Sequence, residues 1–342
     1  MLLPGLSART RWSGPHLLSV VERQNVTHRP KMGRTVPGER ALAVDSNGKP
    51  PEVEPRSMAS SRHDGGSLPA TCEDPHMNRT VSAELGITAH GECQVELQIA
   101  VTRSAGLDVT DQLSIIHRDG ELVPAELIDP EGNRIHVVSL PSGQSRVIYH
   151  AQIRGTATGP PPSLTDQSVY RRPSRYVESD TFGGFASSEF GDLNGPELLT
   201  AVSAWVGSRL LYVPGSSGPA DGAIDTLLRG AGVCRDYAHL VIAMLRALRV
   251  PARLTAVYAP GCDPMDFHAV VEAFVADSWY VVDPTALAPR SSLVRIATGR
   301  DAADTAFMTT VLGRSDLDWS HVTAVADDGL PTDNVDQLVA LG

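Results

Sequence analysis

Three side chains in the second half of the chain have the types and neighbours that nucleophilic chemistry needs. Cys234 follows Gly232-Val233 and opens a helical pattern in which Ala238, Val241, Leu245 and Leu248 share one face before Pro251. At a helix start, free backbone N–H groups and the helix dipole favour a thiolate, and such settings bring a thiol pKa from about 8.5 to roughly 3.5–7.5. The thiolate is the reactive species, so this position suits covalent catalysis. Read alone, a cysteine at a helix start is more often a small buried hydrophobe. The assignment therefore needs a base and a group to orient it.

His268 near the start of one strand and Asp283 at the end of the next supply those types. Ala276-Asp277-Ser278 marks a tight reversal between them. If Ala276 and Asp277 form a two-residue hairpin loop, Val275 pairs with Ser278 and Asp283 falls opposite Val270, on the face that carries His268. Diagonal neighbours of that kind have Cβ atoms about 7–8 Å apart, within reach of a carboxylate–imidazole hydrogen bond. A three-residue loop without a bulge would put the two on opposite faces. A lone histidine is usually structural and a lone Asp before Pro284 usually a turn former; the weight lies in the joint pattern with Cys234.

The elements that must position these groups fall into distinct stretches. Residues 1–76 are rich in Pro, Gly, Ser and charge and lack helical or strand periodicity, so they read as a disordered leader. Met77 immediately precedes the first regular alternation and is a candidate start of the native product. Within a domain expected over 77–158 the pattern has period two from 79 to 154, as in Val81, Ala83, Leu85 and Ile87, or Val147, Tyr149, Ala151 and Ile153. Shorter candidates at 113–116, 122–128 and 135–138, separated by turn signals, bring the total to about six strands in a small all-β, sandwich-like domain. A Pro-rich connector, Gly159-Pro160-Pro161-Pro162, leads to a second domain over 170–315. There a helix is expected over Pro196–Arg209 with Asn194 or Gly195 as cap, another over 222–229, then the helix of Cys234 and strands at 252–258, 267–275 and 279–283. Residues 316–342 read as a short acidic tail.

Four segments in order carry a resemblance to a known family. They are Gly232-Val233-Cys234-Arg235-Asp236-Tyr237-Ala238-His239, Arg249-Val250-Pro251-Ala252-Arg253, Asp266-Phe267-His268-Ala269-Val270-Val271-Glu272, and Trp279-Tyr280-Val281-Val282-Asp283-Pro284-Thr285. Together they resemble the core of bacterial transglutaminase-like proteins, and the strand-rich region before them resembles the β domain often attached to that core. The resemblance implies an α+β, papain-like transglutaminase core, with the helix of the cysteine packed on an antiparallel sheet. It also implies a Cys-His-Asp triad at Cys234, His268 and Asp283, a peptide or protein amide as substrate, and no cofactor or metal. Oxyanion stabilisation is expected from the backbone N–H of Cys234, with Tyr212 as candidate side-chain donor unless it simply packs beside Pro214. Arg253 and Asp236 suit a structural ion pair as well as a substrate contact, and His239 should face the surroundings of its helix. Cys262, six residues before His268, reads as an ordinary loop thiol, with a redox cap on Cys234 as the sharper reading.

Composition bounds the function classes. Residues 1–76 hold ten Lys or Arg against eight Asp or Glu, which leaves 19 against 32 for the rest of a chain with formal charge -11. An acidic body repels phosphate backbones, which argues against nucleic acid as a partner. No apolar run approaches the roughly 18 residues of a membrane span. Four cysteines without paired spacing and the lack of a signal-like apolar stretch lead to an expected reducing, cytoplasmic location. The leading expectation is an enzyme, a peptidase or amidase working through a thioester. An amine-transferring transglutaminase and a non-catalytic interaction module are the alternatives. A metal site built from Cys234, His268, Asp266 and Asp283 is chemically conceivable, but it lacks any close ligand pair.

Overall fold

The computed structural model describes residues 77–158 and 163–342. The reading of 1–76 as a leader and of Gly159-Pro160-Pro161-Pro162 as a connector lies outside the described residues.

Alternation makes the first described segment a run of strands: β1 (Asn78–Ala89), β2 (Cys93–Leu97), β3 (Ala105–His117), β4 (Gly120–Leu122), β5 (Ala125–Ile128), β6 (Arg134–Leu140) and β7 (Gly143–Thr158). Successive side chains of a strand point to opposite faces. Val81, Ala83, Leu85 and Ile87 of β1 are accordingly fully buried, as are Val147, Tyr149, Ala151 and Ile153 of β7, which pairs antiparallel with β1. They share one core with Val95 and Leu97 of β2 and with Val138 and Leu140 of β6, which belong to a second sheet. This is face-to-face sheet packing.

The second part mixes helices and strands: α1 (Leu164–Val169), α2 (Gly183–Phe190), α3 (Gly195–Arg209), β8 (Leu211–Tyr212), α4 (Ala223–Arg229), β9 (Ala231–Gly232), α5 (Cys234–Ala247), β10 (Ala252–Tyr258), β11 (Phe267–Val275), β12 (Ser278–Val282) and β13 (Val294–Gly299). Asn194 is the N-cap of α3 with Pro196 in its first turn, and Gly230 ends α4 at φ 68°. The α5 helix goes further than its apolar face implies, because every residue from Arg235 to Arg246 is buried. The sheet of β12, β11, β10 and β13 packs on it through β10 and β11, while α2, α3 and α4 also contact it. A helix enclosed in this way has no solvent face to keep polar. Its charged residues must instead find internal partners.

The α5 helix ends in a Schellman motif. The N–H of Val250 bonds the carbonyl of Leu245, and the N–H of Arg249 bonds that of Arg246. Arg249 occupies the left-handed position at φ 66°, where glycine is the favoured residue.

One expectation is corrected. Residues 308–326 form β14 (Met308–Leu312) and β15 (Ser315–Ala326), and both return to the sandwich: β14 pairs with β2, and β15 with β1. The core expected to run to 315 therefore gives up its last strand to the β region, and 316–342 is not simply a tail. A register shift explains why the pattern is hard to see in the sequence. Trp319 lies opposite Gly86 and Leu317 opposite Ile87, so the alternation in β15 changes phase at Asp318. The final residues run along the β12 edge of the β12-β11-β10-β13 sheet, where the Val281 N–H bonds the carbonyl of Val339 at 2.8 Å.

The sandwich and the β12-β11-β10-β13 sheet also share packing. Tyr149 of β7 stacks on Tyr258 of β10 with centroids 6.4 Å apart, and the Tyr258 hydroxyl donates to the carbonyl of Ile99 at 2.7 Å. Asn133 donates to the carbonyl of Thr298 and accepts from its N–H. The sheet that carries the candidate histidine is thus braced from behind.

Candidate active site

The hairpin predicted from parity forms. Ala276 and Asp277 both take positive φ, 47° and 60°, and Val275 pairs with Ser278. Two such residues are what a two-residue loop needs to match the twist of its strands. The register runs on to Val271 opposite Val282, so Asp283, just beyond β12, falls on the His268 side.

His268 Nε2 and Asp283 Oδ2 are 2.8 Å apart, and both residues are almost fully buried. Asp283 Oδ1 accepts from the backbone N–H of Thr285 at 2.9 Å and from its hydroxyl at 2.6 Å. Burial by itself would depress the pKa of His268. The Asp283 carboxylate and hydrogen bonds to Asp283 and Cys234 outweigh it and hold the imidazole well above its ordinary value. For Asp283, burial pushes upward, and the charge of His268 with the hydrogen bonds from His268 and Thr285 brings it below the usual carboxylate range. With Nε2 engaged by Asp283, Nδ1 is the ring nitrogen left for Cys234.

Cys234 opens α5 and is partly exposed, as a reacting group must be. Asp236 holds that helix start: its carboxylate accepts the Val233 N–H at 2.8 Å, the Ser217 hydroxyl at 2.5 Å and the Arg235 Nε–H at 3.2 Å. Gly232 is required by close approach, because a Cβ there would lie 2.6 Å from Asp236 Cβ. The short parallel pair of β8 with β9 sets Tyr212 opposite Gly232. Partial burial and then the neighbouring Cys234 push the pKa of the Tyr212 hydroxyl up. A phenol held protonated beside a nucleophile is a donor.

The structure pairs His268 directly with Asp283, and Cys234 is an electrostatic neighbour of both His268 and Tyr212. Other singled-out residues go elsewhere. Arg253 pairs with Glu272 at 3.0 Å and stacks on Trp279 at 4.1 Å, while Asp236 pairs with Arg235, so both serve internal ion pairs. His239 is fully buried, stacks on Tyr176 and accepts the Ala302 N–H at 3.2 Å; burial pushes its pKa down to about 3, leaving it neutral. Cys262 lies near the site as a free, buried thiol whose pKa burial raises, its sulfur 3.5 Å from the carbonyl of Pro264. No group of three or more His, Cys, Asp or Glu among the described residues is arranged to hold a metal ion.

Two contributors escaped sequence reasoning. Thr285 clamps Asp283, and its only signal was its place in the Asp283-Pro284-Thr285 segment. Arg290 donates to the carbonyl of Val281 and pairs with Asp333 at 2.9 Å, tying the strand before Asp283 to the last residues of the chain. That link spans 43 residues and has no local pattern.

Comparison with known proteins agrees with this geometry. Residues 187–284 match the transglutaminase-like superfamily. A crystal structure of a candidate cysteine protease from Cytophaga hutchinsonii superposes with a TM-score of 0.70 at 28% identity, covering 75% of this chain and 93% of that one. An uncharacterized protein of Mycobacterium leprae is 30% identical over 134 residues, and the match spans 36% of this chain and only about half, 48%, of that relative. The periplasmic domain of TgpA from Pseudomonas aeruginosa reaches a TM-score of 0.35 at 18% identity, over 63% of this chain and 92% of that one, a likeness too low to bear on function. Residues 187–284 thus carry a transglutaminase-like core, an α+β arrangement that holds the helix beginning at Cys234 and the hairpin joining His268 to Asp283.

Proposed function

We propose that the protein is a cysteine-dependent enzyme that cleaves amide bonds through a thioester, with Cys234 as nucleophile, His268 as base and Asp283 as its orienting partner. The observation that carries this reading is the buried 2.8 Å contact between His268 and Asp283, beside a partly exposed cysteine at a helix start. His268 Nδ1 takes the thiol proton, and the Cys234 sulfur attacks the amide carbonyl carbon. The carbonyl π electrons move to oxygen, giving a tetrahedral oxyanion. Backbone N–H groups at the start of α5 and the Tyr212 hydroxyl are the proposed donors to that oxygen. Collapse breaks the C–N bond, and His268 returns its proton to the leaving amine. A water, deprotonated by the same imidazole, then attacks the thioester; the C–S bond breaks and free carboxylate and thiol result. Asp283 stabilises the imidazolium and fixes its tautomer throughout.

Hydrolysis is favoured over transfer to an amine, and one experiment separates them. The protein is incubated with glutamine-containing peptides and a labelled primary amine and followed by mass spectrometry. Peptide cleavage, or ammonia release without amine incorporation, supports hydrolysis; amine incorporation identifies a transferase, because ammonia leaves a glutamine side chain in both reactions. If iodoacetamide labels Cys234 no faster than a free thiol and Cys234→Ala changes no turnover, the protein is an interaction module instead.

A further inference from the structure

The other pole of α5 carries a second site. Arg246 lies 12 residues beyond Cys234, roughly 18 Å along the helix at 1.5 Å per residue. There Arg171, Ser179, Asp180, Gly183, Arg246 and Arg249 line an open cavity of about 560 Å³. Three guanidinium groups against one carboxylate give this cavity a local charge of +2 in an acidic protein. Most cationic side chains deep in this fold are absorbed by internal partners, and here the arginines divide. Arg246 is buried and commits its donors to the carbonyls of Ala252, Arg172 and Arg300 and to the Ser174 hydroxyl. It contributes charge and a rigid floor. Arg171 uses only Nε, donating to the carbonyl of Arg249 at 2.9 Å, so its two terminal nitrogens stay available. The guanidinium of Arg249 has no partner among the described residues.

Three further observations converge on the same space. Arg249 sits at the left-handed position of the Schellman motif, where an arginine is conformationally disfavoured against glycine, so its side chain has to be explained by something other than the turn. Ser179 is only 4% exposed and lines the cavity, and its hydroxyl has no hydrogen-bond partner among the described residues, so it is open to a ligand there. The α2 helix begins in the cavity wall with Gly183-Gly184 and no side-chain cap, and a Cβ at either glycine would meet nothing within 4 Å. Uncapped N–H groups at a helix start favour an anion, and guanidinium forks match a tetrahedral oxyanion with paired donors.

We propose that this cavity binds a phosphate dianion, free or as the monoester of a small molecule, held by the forks of Arg249 and Arg171, the Ser179 hydroxyl and the N-terminus of α2. The volume leaves room for an organic body behind the phosphate. The site is independent of the Cys234 chemistry and stands or falls separately.

The test is calorimetric titration of the full chain with inorganic phosphate and, separately, glycerol 3-phosphate at constant ionic strength, with thermal unfolding alongside. Saturable binding at one site is expected. Arg249→Gly should weaken Kd at least tenfold while unfolding at the same or a higher temperature, because glycine suits the left-handed backbone; loss of binding is then not loss of fold. Arg171→Ala should weaken Kd severalfold, and Cys234→Ala should leave it unchanged. Tighter binding of glycerol 3-phosphate assigns a monoester; equal affinity assigns the free anion. Absence of saturable binding of both probes, or an unchanged Kd in Arg249→Gly, overturns the proposal.

Discussion

Two buried carboxylates lie in the same small sheet and behave in opposite ways. Glu272 on β11 accepts from Arg253, Arg295 and Thr255, two permanent cations and a hydroxyl. Asp283, just past the neighbouring strand, accepts from His268 and Thr285, a titratable ring and a second hydroxyl. Burial opposes the charged form of both, and the partners overcome it in both. The difference is what the partner can do. A guanidinium never releases its proton, so the Glu272 cluster is a fixed brace, whereas an imidazole can accept a proton and return it. A buried ion cluster marks structure; a buried pair with one titratable member beside a nucleophile marks chemistry.

That contrast can be broken by substitution. The largest effect is expected for Asp283→Asn, which keeps the shape but loses the charge and the correct tautomer: kcat should fall by about 10⁴-fold, with the thermal midpoint little changed. Steady-state kinetics with calorimetry checks this; a loss below about tenfold would place Asp283 with the braces. Glu272→Gln should do the reverse, leaving two partly buried arginines short of a counter-charge. About 3–5 kcal/mol of stability should disappear in urea unfolding, with kcat of the folded fraction unchanged. Tyr212→Phe removes one donor at the nucleophile and should lower kcat by about 10²-fold with KM nearly constant.

The smallest effects are in the pH dependence of stability. His268 has a raised pKa in the folded state, so its contribution is fully present below its unfolded value of about 6.5 and is lost as pH rises through the folded pKa. Asp283 and Glu272 are depressed, so theirs are present above the unfolded values near 4 and are lost as pH falls through the folded ones. Thermal unfolding across pH should therefore weaken on the alkaline side of about 6.5 by at most about 1.4 kcal/mol per pH unit, and this slope should vanish in His268→Gln. The acid slope should persist in His268→Gln and shrink in Glu272→Gln. An alkaline slope that survives in His268→Gln would move the effect to another group.

Legibility in the sequence followed the range of the forces involved. Helices α3 and α5, the strands β10 to β12 and the hairpin at Ala276-Asp277 rest on local signals: a cap, a proline, an apolar period, a turn-forming aspartate. Those same signals put Cys234 at a helix start and His268 on one face with Asp283. The strand β15 looks like part of an acidic tail because it draws its meaning from β1, more than two hundred residues earlier, and its alternation is interrupted at Asp318. Arg235, Asp236 and Ser217 resist reading for a related reason, since a charge in a sequence looks solvated until packing encloses it.

Residue types, their periodicity and their turn chemistry thus determined by themselves that a thiol, an imidazole and a carboxylate stand at the ends of elements able to meet. Only the tertiary structure decided that the imidazole and the carboxylate do meet, that Thr285 and Arg290 hold the carboxylate's strand, and that Arg249 lines an open cavity and pairs with no carboxylate among the described residues. Local preferences act over a few residues along the chain, whereas burial and ion pairing depend on which distant segments share the same space.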